Sequence, residues 1–156
     1  MLCVQLLHAS SFRDTLMNVQ GSNRKIAMKL SQDLITQLIA HARSAINPGL
    51  SPVSKYPVGA AVLTGDGSIV IGCNIETPSG RLACCAERVA LFSALAKGKK
   101  KIIALALATP DGQTPCGTCR QVLLDMCGSI PILIAKNGSY ETHELGDLLP
   151  NAYQRN

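Results

Sequence analysis

Tryptophan is absent from this chain, and three tyrosines and two phenylalanines leave aromatics at 3% of 156 residues. Proteins that grip single-stranded nucleic acid stack bases on Phe, Tyr or Trp, and there is little here to build such a platform. The basic excess of +5 sits largely in Arg24-Lys25 and the 97–101 cluster. That second cluster reads as a solvated helix end rather than a groove following a phosphate backbone, so no nucleic-acid partner is expected. Long apolar runs are also missing. The longest, Ile102–Ala108, has strand length, far below the roughly 20 residues that cross a bilayer, so no membrane partner is expected. Charged residues are scarce at 16% against 47% hydrophobic, which excludes global disorder and supplies one core. The length suits one ordinary domain.

Seven cysteines are an odd number, poorly suited to a disulfide framework and better suited to thiols used for metal binding or catalysis in a reducing compartment. The first 28 residues differ from the rest, with Ser10, Ser11, Gly21, Ser22 and Asn23 and a single acid, Asp14. A disordered leader over 1–28 is expected, with an organellar targeting peptide as the alternative. Residues 29–156 then form the single folded domain of a cytoplasmic protein.

From Ser31, an expected N-cap, Leu34, Ile35, Leu38, Ile39, Ala42 and Ile46 recur at helical spacing, and Asn47-Pro48-Gly49 ends that helix. The pattern then predicts a strand over 58–63, a turn at Gly65-Asp66-Gly67 and a strand over 69–73. A helix follows over 84–97, a buried strand over 102–109 and a helix over 116–126. Strands over 131–135 and 139–143, joined by Asn137-Gly138, become antiparallel neighbours. Helices alternating with strands imply a three-layer α/β/α sandwich around a mixed five-stranded sheet.

The sharpest feature is Thr114-Pro115-Cys116-Gly117-Thr118-Cys119-Arg120-Gln121. Two thiols three residues apart at a helix start share one face, where the helix dipole favours thiolates. Alone, such a pair fits a redox site, half of a structural zinc site, or chance. A second helix start, Cys84-Cys85-Ala86-Glu87-Arg88, supplies a third thiol if both helices flank one sheet face. Three thiolates would leave one tetrahedral position open, as in catalytic zinc sites, while a fourth from Cys3, Cys73 or Cys127 would close it and make it structural. Cys84 competes with Cys85, but a carboxylate two residues after the ligand, Glu87, favours Cys85. His8, His41 and His143 lie outside both motifs, so the site is expected to be all-sulfur.

With these residues the sequence resembles the zinc-dependent cytidine deaminase family, in its three-cysteine, homotetrameric form. The likeness covers roughly a hundred residues. It runs through Ser54-Lys55-Tyr56-Pro57-Val58-Gly59-Ala60-Ala61, Gly72-Cys73-Asn74-Ile75-Glu76, Cys85-Ala86-Glu87-Arg88, the cysteine pair, and Leu148-Leu149-Pro150-Asn151-Ala152-Tyr153. It implies Zn2+ held by Cys85, Cys116 and Cys119, and hydrolytic deamination at C4 of a pyrimidine nucleoside in salvage metabolism. Glu87 would move protons to ring nitrogen N3 and to the leaving amine. Arg88 resembles the arginine that hydrogen-bonds the ligand thiolates and so offsets the charge of three sulfurs. Asn74 and Glu76 correspond to the pair that holds the ribose 3′-hydroxyl, Tyr56 to the aromatic that stacks on the base, and Ala86 to a further substrate contact. Tyr153 corresponds to a terminal aromatic that covers the pocket.

One segment departs from the family. Gly80 occupies the position of an aromatic that reaches a neighbouring subunit's pocket, and Arg81 beside it offers a different contact. Three other readings remain at this stage: a deaminase of a cytosine nucleoside antibiotic such as blasticidin S or of a modified nucleoside, a non-catalytic structural zinc interaction domain, and a polynucleotide editor. Asn74 and Glu76 favour a plain nucleoside over the antibiotic.

Overall fold

The computed structural model describes residues 30–79, 82–136 and 138–154. The expected leader, the Gly80-Arg81 departure and Asn137 fall outside the described residues. Helix α1 (Gln32–Ser44) starts where Ser31 caps it, the Ser31 hydroxyl accepting from Leu34 N at 3.3 Å. Asp33 in its first turn and Arg43 in its last complement the helix dipole. A short 3-10 turn (Pro48–Leu50) leads to β1 (Gly59–Thr64) and β2 (Ile69–Cys73), an antiparallel hairpin in register from Gly59↔Cys73 to Leu63↔Ile69.

Strand β1 also pairs antiparallel with β5 (Ile102–Ala108). β5 runs parallel to β6 (Pro131–Lys136), which pairs antiparallel with β7 (Ser139–Glu144). The order β2-β1-β5-β6-β7 is the expected mixed five-stranded sheet. Its parallel pair is connected through α3 (Gly117–Cys127), as parallel neighbours require a crossover. A two-residue ribbon, β3 (Ile75–Glu76) with β4 (Ala83–Cys84), precedes α2 (Ala86–Ala96), and α4 (Leu145–Leu148) follows the sheet.

All six residues of β1 are buried, because a central strand covered on both faces has no polar side. Alternation sends Ala60 and Val62 toward α2 and α3, where they join Ala90, Leu91, Leu105, Leu107 and Leu123. Ala61 and Leu63 point to the other face and meet Leu38 and Ala42 of α1. The three-layer sandwich follows. Strand boundaries of the five-stranded sheet fall within one residue of the sequence reading, and two helix starts differ from it for a physical reason. Cys84 pairs with Ile75 in the ribbon, so α2 begins only at Ala86 with Cys85 as its N-cap, and Cys116 likewise caps α3 from outside. No described helix is long and apolar enough to cross a membrane.

Each face seats a helix backbone on a glycine. A Cβ at Gly59 would lie 2.0 Å from Ala42 O, and one at Gly72 would lie 2.4 Å from Ala90 N and 2.8 Å from Ala86 O. Backbone cannot yield as a flexible side chain does, so Gly72→Ala must push α2 away from β2. Overpacking of this kind destabilises by about 1–3 kcal/mol, and a drop in Tm of roughly 5–10 °C is expected in a thermal melt. An unchanged Tm would contradict the close seating of α2, on which the position of Cys85 depends.

Candidate metal centre

The first turns of α2 and α3 meet at the sheet end where β2 and β5 finish. Cys85 and Cys116 are the two N-caps, each in extended conformation (ψ 151 and 162) and neither making a side-chain capping bond. Their sulfurs therefore stand beside unpaired first-turn N–H groups, in the positive field of two helix ends. Cys119, in the first turn of α3, shares a face with Cys116. The three Sγ atoms lie within 4.8 Å of one another, with Cys85 and Cys116 separated by 3.9 Å. A disulfide needs about 2.05 Å. Sulfurs at two corners of a tetrahedron with ~2.3 Å metal bonds stand about 3.8 Å apart, so the spacing fits zinc. Cys119 is fully buried, Cys85 half-buried and Cys116 exposed, so the cluster opens on the Cys116 side.

The protons on these sulfurs are shared unevenly. The Cys85 thiol is lowered to about 5, first because Cys119 donates to it, with further help from Arg88 and Cys116 against the opposing effect of burial. Cys119 is pushed strongly up, because it holds the proton that it gives to Cys85 and because it is buried near Glu87. Arg88 Nη2 lies 3.6 Å from Cys85 Sγ, and the buried Arg88 Nε has no partner among the described residues. Three close sulfurs and a guanidinium with spare donor capacity make a site suited to a soft divalent cation.

Glu87, only 4% exposed, lies in the first turn of α2, two residues after Cys85. Its carboxyl is raised above the usual carboxylate range, chiefly by burial and secondarily by the Cys85 charge, while a hydrogen bond with Cys119 pulls the other way. It is the one buried carboxyl among the described residues, and burial of this sort readies a carboxyl for proton transfer. Cys84 in β4, Cys73 in β2 and Cys127 at the end of α3 stand outside the sulfur group. Burial raises Cys127 to about 12, as expected of a core thiol. Cys3 and His8 lie outside the described residues.

The other expected contacts line the same end of the sheet. Asn74 sits between β2 and β3 rather than on a strand. Its Oδ1 accepts from Val58 N at 2.8 Å and its Nδ2 donates to Tyr56 O at 2.9 Å. Glu76 Oε2 accepts from Val53 N at 3.0 Å and Ser54 N at 3.1 Å, and the Ser54 side chain, followed by these backbone donors, holds its carboxyl below the usual range. Both residues therefore shape the 51–58 segment, in which Lys55 takes the left-handed φ of 54. Ala86, fully buried, opens α2.

Sequence reading missed three residues here. Arg120 donates to Pro115 O at 2.7 Å, Thr114 Oγ1 at 2.8 Å and Leu148 O at 2.9 Å, tying the Cys116 loop to the C-terminal segment. Gln121 exchanges two 3.0 Å bonds with the backbone of Tyr153, whose side chain is 72% exposed. Asp111 accepts from the Tyr56 hydroxyl. The available signal was an arginine inside the cysteine motif, close in sequence to Thr114 and Pro115; the contacts with Leu148, Tyr153 and Tyr56 span 28, 32 and 55 positions.

Comparison with known proteins agrees with this geometry. The family model for the cytidine and deoxycytidylate deaminase zinc-binding region matches residues 28–132. A cytidine deaminase of Sporosarcina psychrophila is 40% identical over 125 residues, 78% of this chain and 92% of the relative. One from Halalkalibacterium halodurans is 38% identical over 120 residues, 74% of this chain and 91% of the relative. The crystal structure of a cytidine deaminase from Burkholderia pseudomallei superposes with a TM-score of 0.70 at 36% identity, covering 80% of this chain and all of that one, 100%.

Proposed function

The chain belongs to the cytidine and deoxycytidylate deaminase zinc-binding family, and from that premise we propose that it converts cytidine or deoxycytidine, with one water, to uridine or deoxyuridine and ammonia. The observation that carries this reading is a buried carboxyl, Glu87, two residues after one sulfur of a three-sulfur cluster that could hold a metal ion; zinc held by three protein ligands would keep a place for water. Zinc bound by Cys85, Cys116 and Cys119 supplies Lewis acidity, making a water a competent nucleophile near neutral pH.

The residues then divide the work. Glu87 accepts one proton of the attacking water and gives it to N3 of the cytosine ring; it then takes the proton of the new C4 hydroxyl and passes it to the amine, so that C4=O forms as ammonia leaves. Burial raises its proton affinity, which suits a group that must both take and give. Arg88 draws charge from the Cys85 sulfur and so offsets the excess of three thiolates over one divalent ion. Tyr56 stacks on the base, Ala86 contacts it, and the second N–H of Asn74 with the outer oxygen of Glu76 meets a sugar hydroxyl. A carboxylate there repels a phosphate, which favours a nucleoside over a nucleotide.

The same reading makes 29–156 the catalytic domain behind a separate leader, in a cytoplasmic enzyme of pyrimidine salvage. It also makes the protein a homotetramer, supported by Val53, Ile75, Leu82 and Phe92, apolar side chains that are exposed in the single chain. Ammonia release from cytidine, deoxycytidine, deoxycytidylate and blasticidin S, measured in parallel on zinc-loaded protein, tests the proposal. Turnover of the two nucleosides in preference to the others is expected. Zinc-loaded protein that releases no ammonia from any of them would overturn it, and a preference for the nucleotide would overturn the assigned role of Glu76.

A further inference from the structure

Tyr56 is held from two sides. Its backbone N–H donates to Ser54 Oγ at 3.1 Å and its carbonyl accepts from Asn74 at 2.9 Å, which fixes the main chain to the β2–β3 junction. Its hydroxyl donates to Asp111 Oδ1, in the loop that runs from β5 to Cys116. That loop is itself braced: Thr109 Oγ1 donates to Asp111 Oδ1 at 3.4 Å and accepts from Gln113 N at 2.8 Å, and Gly112 takes a positive φ of 75 to make the turn. Asp111 thus joins the segment carrying Tyr56 to the loop carrying a sulfur ligand. A ring without the hydroxyl would stack on a base equally well but could not be tethered.

We propose that Asp111 is a positioning residue for nucleoside affinity: by accepting the Tyr56 hydroxyl it locks that ring, before substrate arrives, in the orientation that stacks on the cytosine ring. The proposal rests on the reading of Tyr56 as the base-stacking wall. A side chain ordered in advance saves the ordering cost on binding, in the ground state and the transition state alike, so the effect falls on KM rather than kcat. The conservative Asn keeps an acceptor at the same place and partly restores the tether.

Steady-state kinetics with cytidine on Tyr56→Phe, Asp111→Ala, Asp111→Asn and the Tyr56→Phe/Asp111→Ala double variant test it. KM is expected to rise about five- to tenfold in Tyr56→Phe and Asp111→Ala, with kcat within about twofold. The double variant should be no worse than either single one, and Asp111→Asn should fall between. Additive losses, or losses confined to kcat, would overturn the proposal. A second readout needs no turnover. With Trp 0 and Tyr 3, ultraviolet absorbance follows tyrosine ionisation directly. Burial and then the Asp111 bond raise Tyr56 above its ordinary value, so its ionisation step is expected late, lost in Tyr56→Phe and shifted down in Asp111→Ala. If that titration shows the tether while wild-type KM equals that of Asp111→Ala, the positioning role falls and the deaminase reading stands. If the tether is present but wild type releases no ammonia, the deaminase reading falls and takes this proposal with it.

Discussion

Glu87→Gln is expected to lower kcat for cytidine by about 10³-fold, while zinc content and KM stay near wild type. Positioned proton transfer contributes typically ~10²–10⁴-fold, and here one carboxyl serves both the attacking water and the leaving amine. Glutamine has nearly the same shape and fits a site that leaves only 4% of Glu87 exposed, but its amide cannot take up and return a proton. The sign of the stability change is also fixed. Glu87 is buried with its carboxyl pushed up by desolvation, so a neutral amide removes a charge that folding disfavours. Tm should be equal to or higher than that of wild type. Kinetics with metal analysis on the same sample checks both points, and retention of more than a tenth of the wild-type rate would remove Glu87 from the proton path.

Cys119→Ala is expected to abolish activity by releasing the metal. Cys119 is fully buried and is one of the three sulfurs that make up the cluster, so its removal leaves two thiol ligands. Structural zinc in small peptides is held by ~10–16 kcal/mol, and a third of that is roughly 4 kcal/mol, or about 10³-fold in affinity. Competition with a chromogenic chelator measures this directly. Cys84→Ala is the matched control: its sulfur belongs to the β3–β4 ribbon, and the variant should hold zinc as wild type does. Zinc loss in Cys84→Ala with retention in Cys119→Ala would reverse the ligand assignment.

What could be read from the sequence follows from how local each signal is. The Ser31 cap, the Gly65-Asp66-Gly67 turn and the apolar run of β5 are encoded within a few residues, and they fall close to where they were expected. The cysteine pair was legible because N-cap and first-turn positions of one helix share a face whatever surrounds them. The start of α2 was misplaced by two residues because Cys84 is drawn into a strand by Ile75, nine positions earlier, and helical periodicity carries no trace of that pairing. The sheet order was not legible either. Nothing local dictates that β1 lies between β2 and β5. Asn74 was read as a strand end facing a sugar, yet two of its bonds hold the 51–58 segment in place. Tyr56 with Asp111 and Arg120 with Leu148 are contacts made only after the chain has folded, and no spacing rule reaches that far.

The arrangement of atoms around the metal decides between an open catalytic centre and a closed structural one. X-ray absorption at the zinc edge of the purified, zinc-loaded protein should give three sulfur scatterers at about 2.3 Å and one lighter scatterer at about 2.0 Å. Four sulfurs, or three sulfurs and an imidazole, would mean a site sealed by the protein and no place for the water on which the deamination depends.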